Sequence, residues 1–368
     1  MRSRKKIVTT LITSIAILAS CTSTTIINGL DETHTATEGI QGVDVKKYFN
    51  YQYFRPSSIQ KLEQYMVNLN LPRDEAQNLK KLLGNLKKIM SKEKFILKIN
   101  NSNTFSLELI ELVYKFDLPI TIEWTDLNQK NIPQNLISEI PSGFCSSIYQ
   151  DALQAINKEI SASSNSTMIV YTKPYGDVQK LFTTQFPEIK SILFNEGDAQ
   201  KFASQALEIS QSHNRFKKIT NLNPNQKLEF ASRPRDDIKK IFLLLEPDQY
   251  KSVLPAFRYH GGEKFQYINF ISALESLNNV KQLLDFENSL VPISIYLSKG
   301  IENKEIVSLD QVIQKSMLND WLLIEIMKQA GIRSADIIGM TGTLEFERNN
   351  CTKRNLPIQR INSTWVTS

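Results

Sequence analysis

Ile241-Phe242-Leu243-Leu244-Leu245, with Lys239-Lys240 before it and Glu246-Pro247 after it, is a run of five apolar residues that follows neither the helical nor the alternating period. A run of that length between polar and proline residues reads as a strand covered on both faces, the environment of a parallel sheet. Similar runs recur on either side. Phe95-Ile96-Leu97-Lys98-Ile99, Pro119-Ile120-Thr121-Ile122, Met168-Ile169-Val170-Tyr171, Ser191-Ile192-Leu193-Phe194 and Gln266-Tyr267-Ile268-Asn269-Phe270 read as strands. Between them lie amphipathic stretches: 105–116, with Leu109, Leu112 and Val113 inward, 146–160, 178–186, 199–209, and one through Tyr250, Val253 and Phe257. Strands alternating with helices at this spacing predict an α/β fold of parallel sheets with helices on both faces. Ser161 to Ser166 is a polar surface connection within it.

Ahead of this region, Ile59, Leu62, Tyr65, Met66 and Leu69 fit one helix, and Leu79, Leu82, Leu83, Leu86, Ile89 and Met90 another. The expectation is a short helical segment over 46–92. Lys80, Lys81, Lys87 and Lys88 lie off the second stripe and read as a solvated helix face, with a partner-binding patch as the other reading.

The N-terminus decides location. Arg2, Arg4, Lys5 and Lys6 precede an apolar run from Ile7 to Leu18 that is too short to span a bilayer, and Leu18-Ala19-Ser20-Cys21 follows. This is an export signal whose end resembles a bacterial lipobox. That resemblance implies cleavage after residue 20 and lipidation of Cys21 through a thioether-linked diacylglycerol, with palmitate as an acyl chain. Thr22, in place of the aspartate associated with inner-membrane retention, favours the outer membrane. Residues 21–45 read as a lipidated tether. The chain carries 44 Lys and Arg against 38 Asp and Glu, and loss of the four signal cations leaves 40 against 38. No basic field of the size needed for nucleic acid remains. After the signal, no apolar stretch reaches the roughly 18 residues of a membrane span.

Signals for chemistry are sparse. His34 lies in the tether, His213 in a polar loop and His260 beside Gly261-Gly262. There is no metal-ligand spacing of His or Cys, no Gly-x-Ser-x-Gly elbow and no phosphate-binding glycine loop, so neither an enzyme nor a cofactor is expected. Tyr259-His260-Gly261-Gly262 reads as a helix ending at glycine.

Three blocks then carry a resemblance. They are Arg233-Pro234-Arg235-Asp236-Asp237-Ile238 running on to Glu246-Pro247-Asp248-Gln249 and Leu254-Pro255-Ala256-Phe257-Arg258-Tyr259, then Leu318-Asn319-Asp320-Trp321-Leu322-Leu323, and last Gly339-Met340-Thr341-Gly342-Thr343-Leu344-Glu345-Phe346 with Lys353-Arg354 behind it. In this order, behind a lipobox, they resemble the penicillin-binding protein activator lipoproteins, the LppC family, over roughly residues 95–360. The resemblance implies a type I periplasmic-binding-protein-like clamshell over 93–368, with chain crossings near 142, 262 and 345. In the family's first block an arginine-aspartate turn enters a buried strand, and the next helix ends in a proline-containing turn. The implied function is to bind and stimulate a bifunctional peptidoglycan synthase from the periplasmic face of the outer membrane. The large helical-repeat domain of better-known members is replaced here by residues 46–92 alone. A solute receptor of the amino-acid-binding type shares the fold and is the alternative, with Trp124, Tyr171, Tyr175 and Tyr267 near strand ends as ligand-facing aromatics or as packing. Beyond Cys21 the chain holds Cys145 and Cys351. In an oxidising periplasm they either bridge, where crossing segments run side by side, or remain two separate thiols.

Overall fold

A computed structural model describes residues 54–68, 71–100, 104–126, 132–222, 229–230, 233–275, 277, 280–294 and 309–362. The signal, Cys21, the tether and His34 lie outside the described residues.

Among the described residues, helices α1 (Pro56–Asn68) and α2 (Arg73–Met90) come first. α2 buries Leu79, Leu82, Leu83, Leu86 and Ile89 along one stripe, with Asp74 and Glu75 in its first turn and Lys87 and Lys88 in its last, each sign on the favourable end of the helix dipole. Lys80, Lys81, Lys87 and Lys88 are exposed, and Lys87 pairs with Glu63 of α1 at 2.6 Å.

A βαβ unit follows: β1 (Phe95–Asn100), α3 (Ser106–Phe116) and β2 (Ile120–Thr125). β1 and β2 pair in parallel, placing Phe95, Leu97 and Ile99 beside Ile120, Ile122 and Trp124. α3 ends at Asp117 in a left-handed conformation, φ 49°. The chain then passes into α4 (Ile148–Ser161), β3 (Thr167–Tyr171), α5 (Gly176–Gln185), β4 (Lys190–Leu193), α6 (Ala199–Ala206), α7 (Ile209–Leu222), β5 (Lys240–Leu244), α8 (Tyr250–Gly261), β6 (Gln266–Asn269), α9 (Ser272–Glu275) and β7 (Leu290–Pro292). The long helix α10 (Leu309–Gln329) leads to β8 (Ser334–Ile338), β9 (Thr343–Glu347) and β10 (Lys353–Asn355), and β11 (Ile358–Arg360) is last.

The larger sheet has six strands in the order β11-β7-β6-β5-β3-β4. All its neighbours are parallel except β11, which runs antiparallel to β7. Burial follows position. Met168, Ile169 and Val170 of β3 and Ile241 to Leu244 of β5 are fully buried at the centre, whereas β4 at the edge is largely exposed. Phe182 of α5 meets the Phe242 ring at 5.5 Å. Burying each such side chain contributes roughly 1.5–3 kcal/mol relative to exposure. The fold is therefore mixed α/β with parallel sheets, and it includes one antiparallel unit, β10-β9-β8.

Three features differ from the sequence reading. The chain does not leave the large sheet at residue 262: β5 and β6 on either side are adjacent and parallel, so Gly262, at φ 57°, serves a turn within that sheet. Pro255 lies inside α8, not in a turn at its end, and α8 continues to Gly261. The helix expected over 199–209 is broken by Glu208, whose φ of 57° separates α6 from α7.

Candidate functional site

Two chain segments run side by side where the polypeptide passes from β2 to α4 and from β9 to β11. Phe144 and Thr352 form a parallel bridge, the Cys145 N–H donates to the Thr352 carbonyl at 3.0 Å, and the Thr352 N–H donates to the Gly143 carbonyl at 2.7 Å. Gly143 sits at φ 88°, a backbone conformation that favours glycine. This alignment sets the Cα atoms of Cys145 and Cys351 4.9 Å apart, within the range a disulfide requires, and the two are bonded.

A buried ionic cluster lies against the bridge. Arg354 of β10 donates through Nη1 to Asp151 Oδ2 at 2.7 Å, and its guanidinium lies 4.6 Å from the Phe144 ring centroid. Asp151 occupies the first turn of α4, where the dipole favours an anion, and it accepts from Ser146 Oγ at 2.5 Å. The turn itself is set by a capping box between Ser147 and Gln150. Burial raises the Asp151 pKa and lowers that of Arg354, each opposed by the attraction between them. Arg354 Nε and Nη2 and Thr352 Oγ1 are buried without a partner among the described residues, so the cluster carries a desolvation cost.

Asp320 of α10 is the third charge. Its carboxylate accepts from the Met340 N–H at 2.7 Å, the Thr341 N–H at 2.8 Å and Thr341 Oγ1 at 2.5 Å. Those donors sit in the Gly339-Met340-Thr341-Gly342 turn between β8 and β9. A Cβ on Gly339 would come within 2.8 Å of both Asp320 oxygens, and one on Gly342 within 2.7 Å of the Asn355 carbonyl. The glycines at both ends thus let the turn close onto the carboxylate. Burial raises the pKa of Asp320, opposed first by the Thr341 hydrogen bond. Next along α10, Trp321 Nε1 donates to Ser142 Oγ at 3.1 Å, holding α10 to the segment that leads to Gly143.

The second feature is the C-terminal edge of the large sheet. The strand order reverses between β3 and β5, and ligands of open α/β sheets bind at such a point. Here Tyr149 of α4 and Tyr175 meet the Phe270 ring at 5.3 and 6.0 Å, and Tyr149 Oη donates to Glu275 of α9. Tyr175 is pushed up in pKa by burial and by the nearby charges of Glu275 and Glu246. Tyr250 Oη donates to the Leu243 carbonyl at 2.9 Å and accepts from the Leu245 N–H at 3.2 Å, fixing the end of β5.

Of the aromatics read as strand-end candidates, Tyr171 and Tyr175 are half-buried at this edge, and Trp124 is exposed at the end of β2. Tyr267 is buried toward the opposite end of β6, under Arg258, and is core. Tyr149 and Glu275 were not read from the sequence, because neither falls in a motif. His260 is half-buried and its Nε2 lies 3.2 Å from the Gln200 carbonyl, while His213, expected in a loop, lies in α7 with its ring packed on Phe230. Arg235 pairs with Asp237 at 2.6 Å as the chain enters β5, and that hydrogen bond holds the Asp237 carboxyl well below the usual carboxylate range. Among the described residues no group of His, Cys, Asp and Glu is arranged to hold a metal ion, and no helix is long and apolar enough to cross a membrane.

No protein-family model matches the chain, and no curated protein does. Among solved structures, full-length LpoA from Haemophilus influenzae is similar at 11% identity and a TM-score of 0.36, over 88% of this chain and 58% of that one. The chain thus spans little more than half the length of that protein. An ABC transporter substrate-binding protein from Desulfitobacterium hafniense, solved in complex with Leu, is similar at 11% identity and a TM-score of 0.34, over 72% of this chain and 96% of that one.

Proposed function

We propose that this chain is a lipid-anchored protein on the periplasmic face of the outer membrane that binds and stimulates a bifunctional peptidoglycan synthase and has no catalysis of its own. The anchor is Cys21, behind its lipobox, and the three blocks in order support the activator family. The observation that carries the reading over a solute receptor is the tied junction. A receptor that closes on its ligand needs hinge segments free to change φ and ψ. Here two adjoining segments are bridged by Cys145–Cys351, paired through backbone hydrogen bonds and backed by the buried Asp151–Arg354 pair. Such a junction suits a rigid body read by its surface. The Tyr149–Glu275 hydrogen bond also engages groups at the switch point that a cleft ligand would use. A paired disulfide fits an oxidising compartment.

The test is reconstitution of the purified chain with each bifunctional synthase of its host, following glycan polymerisation and peptide crosslinking. We expect a severalfold rise in rate with one of them and no turnover by the chain alone. No stimulation of any synthase would sink the activator reading, and tight binding of a free amino acid in its place would establish the receptor.

A further inference from the structure

Helix α7 has no buried residue, although it runs for 14 residues and packs along one side. On that side Phe216 stacks on Phe230 at 4.4 Å, and Ser212 Oγ accepts from the Arg233 N–H at 3.2 Å. The other side is a surface. Gln211, Arg215, Lys218 and Leu222 follow at intervals of four, three and four residues, so they share one face, and Ile219 adjoins it. All five are exposed, Leu222 at 79% and Ile219 at 51%. α7 contains Arg215, Lys217 and Lys218 and no Asp or Glu. Among the described residues none of the three cations is in a salt bridge, and Asp236, whose carboxyl feels the charge of Arg215, is already paired with Lys264.

Two large aliphatics held in water between two long cationic side chains are costly in solution and favourable at one kind of surface. At a bilayer interface aliphatic side chains enter the acyl boundary while Lys and Arg extend to the phosphates. A protein surface would match this face with apolar contacts and point acids. An anionic bilayer supplies both a continuous negative field and an apolar layer beneath it. We propose that α7 is an interfacial helix, docking on anionic phospholipid headgroups through Arg215 and Lys218 with Ile219 and Leu222 inserted below them. The inference goes beyond the synthase reading and stands without it. It would give the folded body a second, reversible contact with the membrane and so fix which side faces away.

The experiment mixes the purified full-length chain with preformed vesicles, either phosphatidylcholine alone or phosphatidylcholine with phosphatidylglycerol, and follows amide hydrogen exchange. The expected result is that amides of 211–222 exchange at least about fivefold more slowly on the anionic vesicles, the size one cation contributes near such a surface. R215Q/K218Q, both changes being on exposed side chains, should return exchange to the neutral-vesicle rate, and I219S/L222S should weaken protection while leaving the rest of the map unchanged. Equal exchange on both vesicle types overturns the proposal. So does protection that rises with protein concentration when no vesicles are present, which would assign the face to a second copy of the chain.

Discussion

Asp320 and the turn that encloses it explain two of the sequence blocks at once. The Leu318–Leu323 block and the Gly339–Phe346 block were legible as separate stretches, but their contact was not. Twenty residues and a helix-to-strand turn separate carboxylate from donor, and no periodicity reports such a pairing. The charge has a testable consequence. Asp320 is raised above its ordinary value of 3.8 by burial, and Asp151 likewise. A raised carboxyl binds a proton in the folded state at a pH where the unfolded chain has released it. Its stabilising contribution is therefore full below about 3.8 and is lost as pH rises through the folded value. Asp236 and Asp237 are shifted down, and their effect falls below the same ordinary value. Above the ordinary carboxylate value, the urea midpoint of the protein should therefore rise as the pH is lowered toward it. Asp320→Asn should flatten that slope and cost about 1–3 kcal/mol at neutral pH, since an amide cannot accept from all three donors. An unchanged slope in the variant would assign the effect elsewhere.

At the scale of elements, most strands of the large sheet were readable because long apolar runs such as Ile241–Leu245 have only one comfortable environment. β7, β10 and β11, three residues each, were not. Their strand character comes from their partners, as when Ile358 pairs with the distant Pro292, and not from local composition. Of the three residues of α3 expected inward, Leu109 is buried and Leu112 and Val113 are half-buried; buried Phe116 and the whole outward face were not expected. Leu107, Ile110 and Tyr114 recur at i, i+3 and i+7 and are exposed, Leu107 at 76% and Tyr114 at 82%. A contiguous exposed apolar stripe marks a contact surface more often than a scattered one does. If the synthase reading holds, L107S/Y114S should leave the urea midpoint within about 0.5 kcal/mol of the parent while weakening synthase affinity about tenfold. Stimulation at unchanged half-saturation would remove α3 from the contact.

For the whole molecule, the α/β class and the order of the first strands follow from the alternation of apolar runs and amphipathic helices, but the path between sheets does not. A crossing near residue 262 was implied by the family resemblance. Gly261-Gly262 instead serves α8 and β6 on the same sheet, and the sequence signal for a tight turn is the same in both cases. The junction itself rested on two cysteines whose pairing the sequence left open. They are 206 residues apart, so by chain entropy the bond contributes up to about 5 kcal/mol, less any strain. C145A/C351A, or the parent chain under reductant, should lower the urea midpoint by a substantial part of that amount. A midpoint unmoved by reductant would mean that the bond is absent or that the unfolded chain is already compact.

The same bond governs how the molecule survives damage. Any single peptide cut between Cys145 and Cys351 falls inside a closed covalent loop, so the two pieces stay joined. All the strands of the large sheet except β11, and most of the connections around them, lie within that loop. A protease would have to cut twice within the loop before a fragment of it could leave, and a molecule cut once there would keep its mass until a thiol opened the ring.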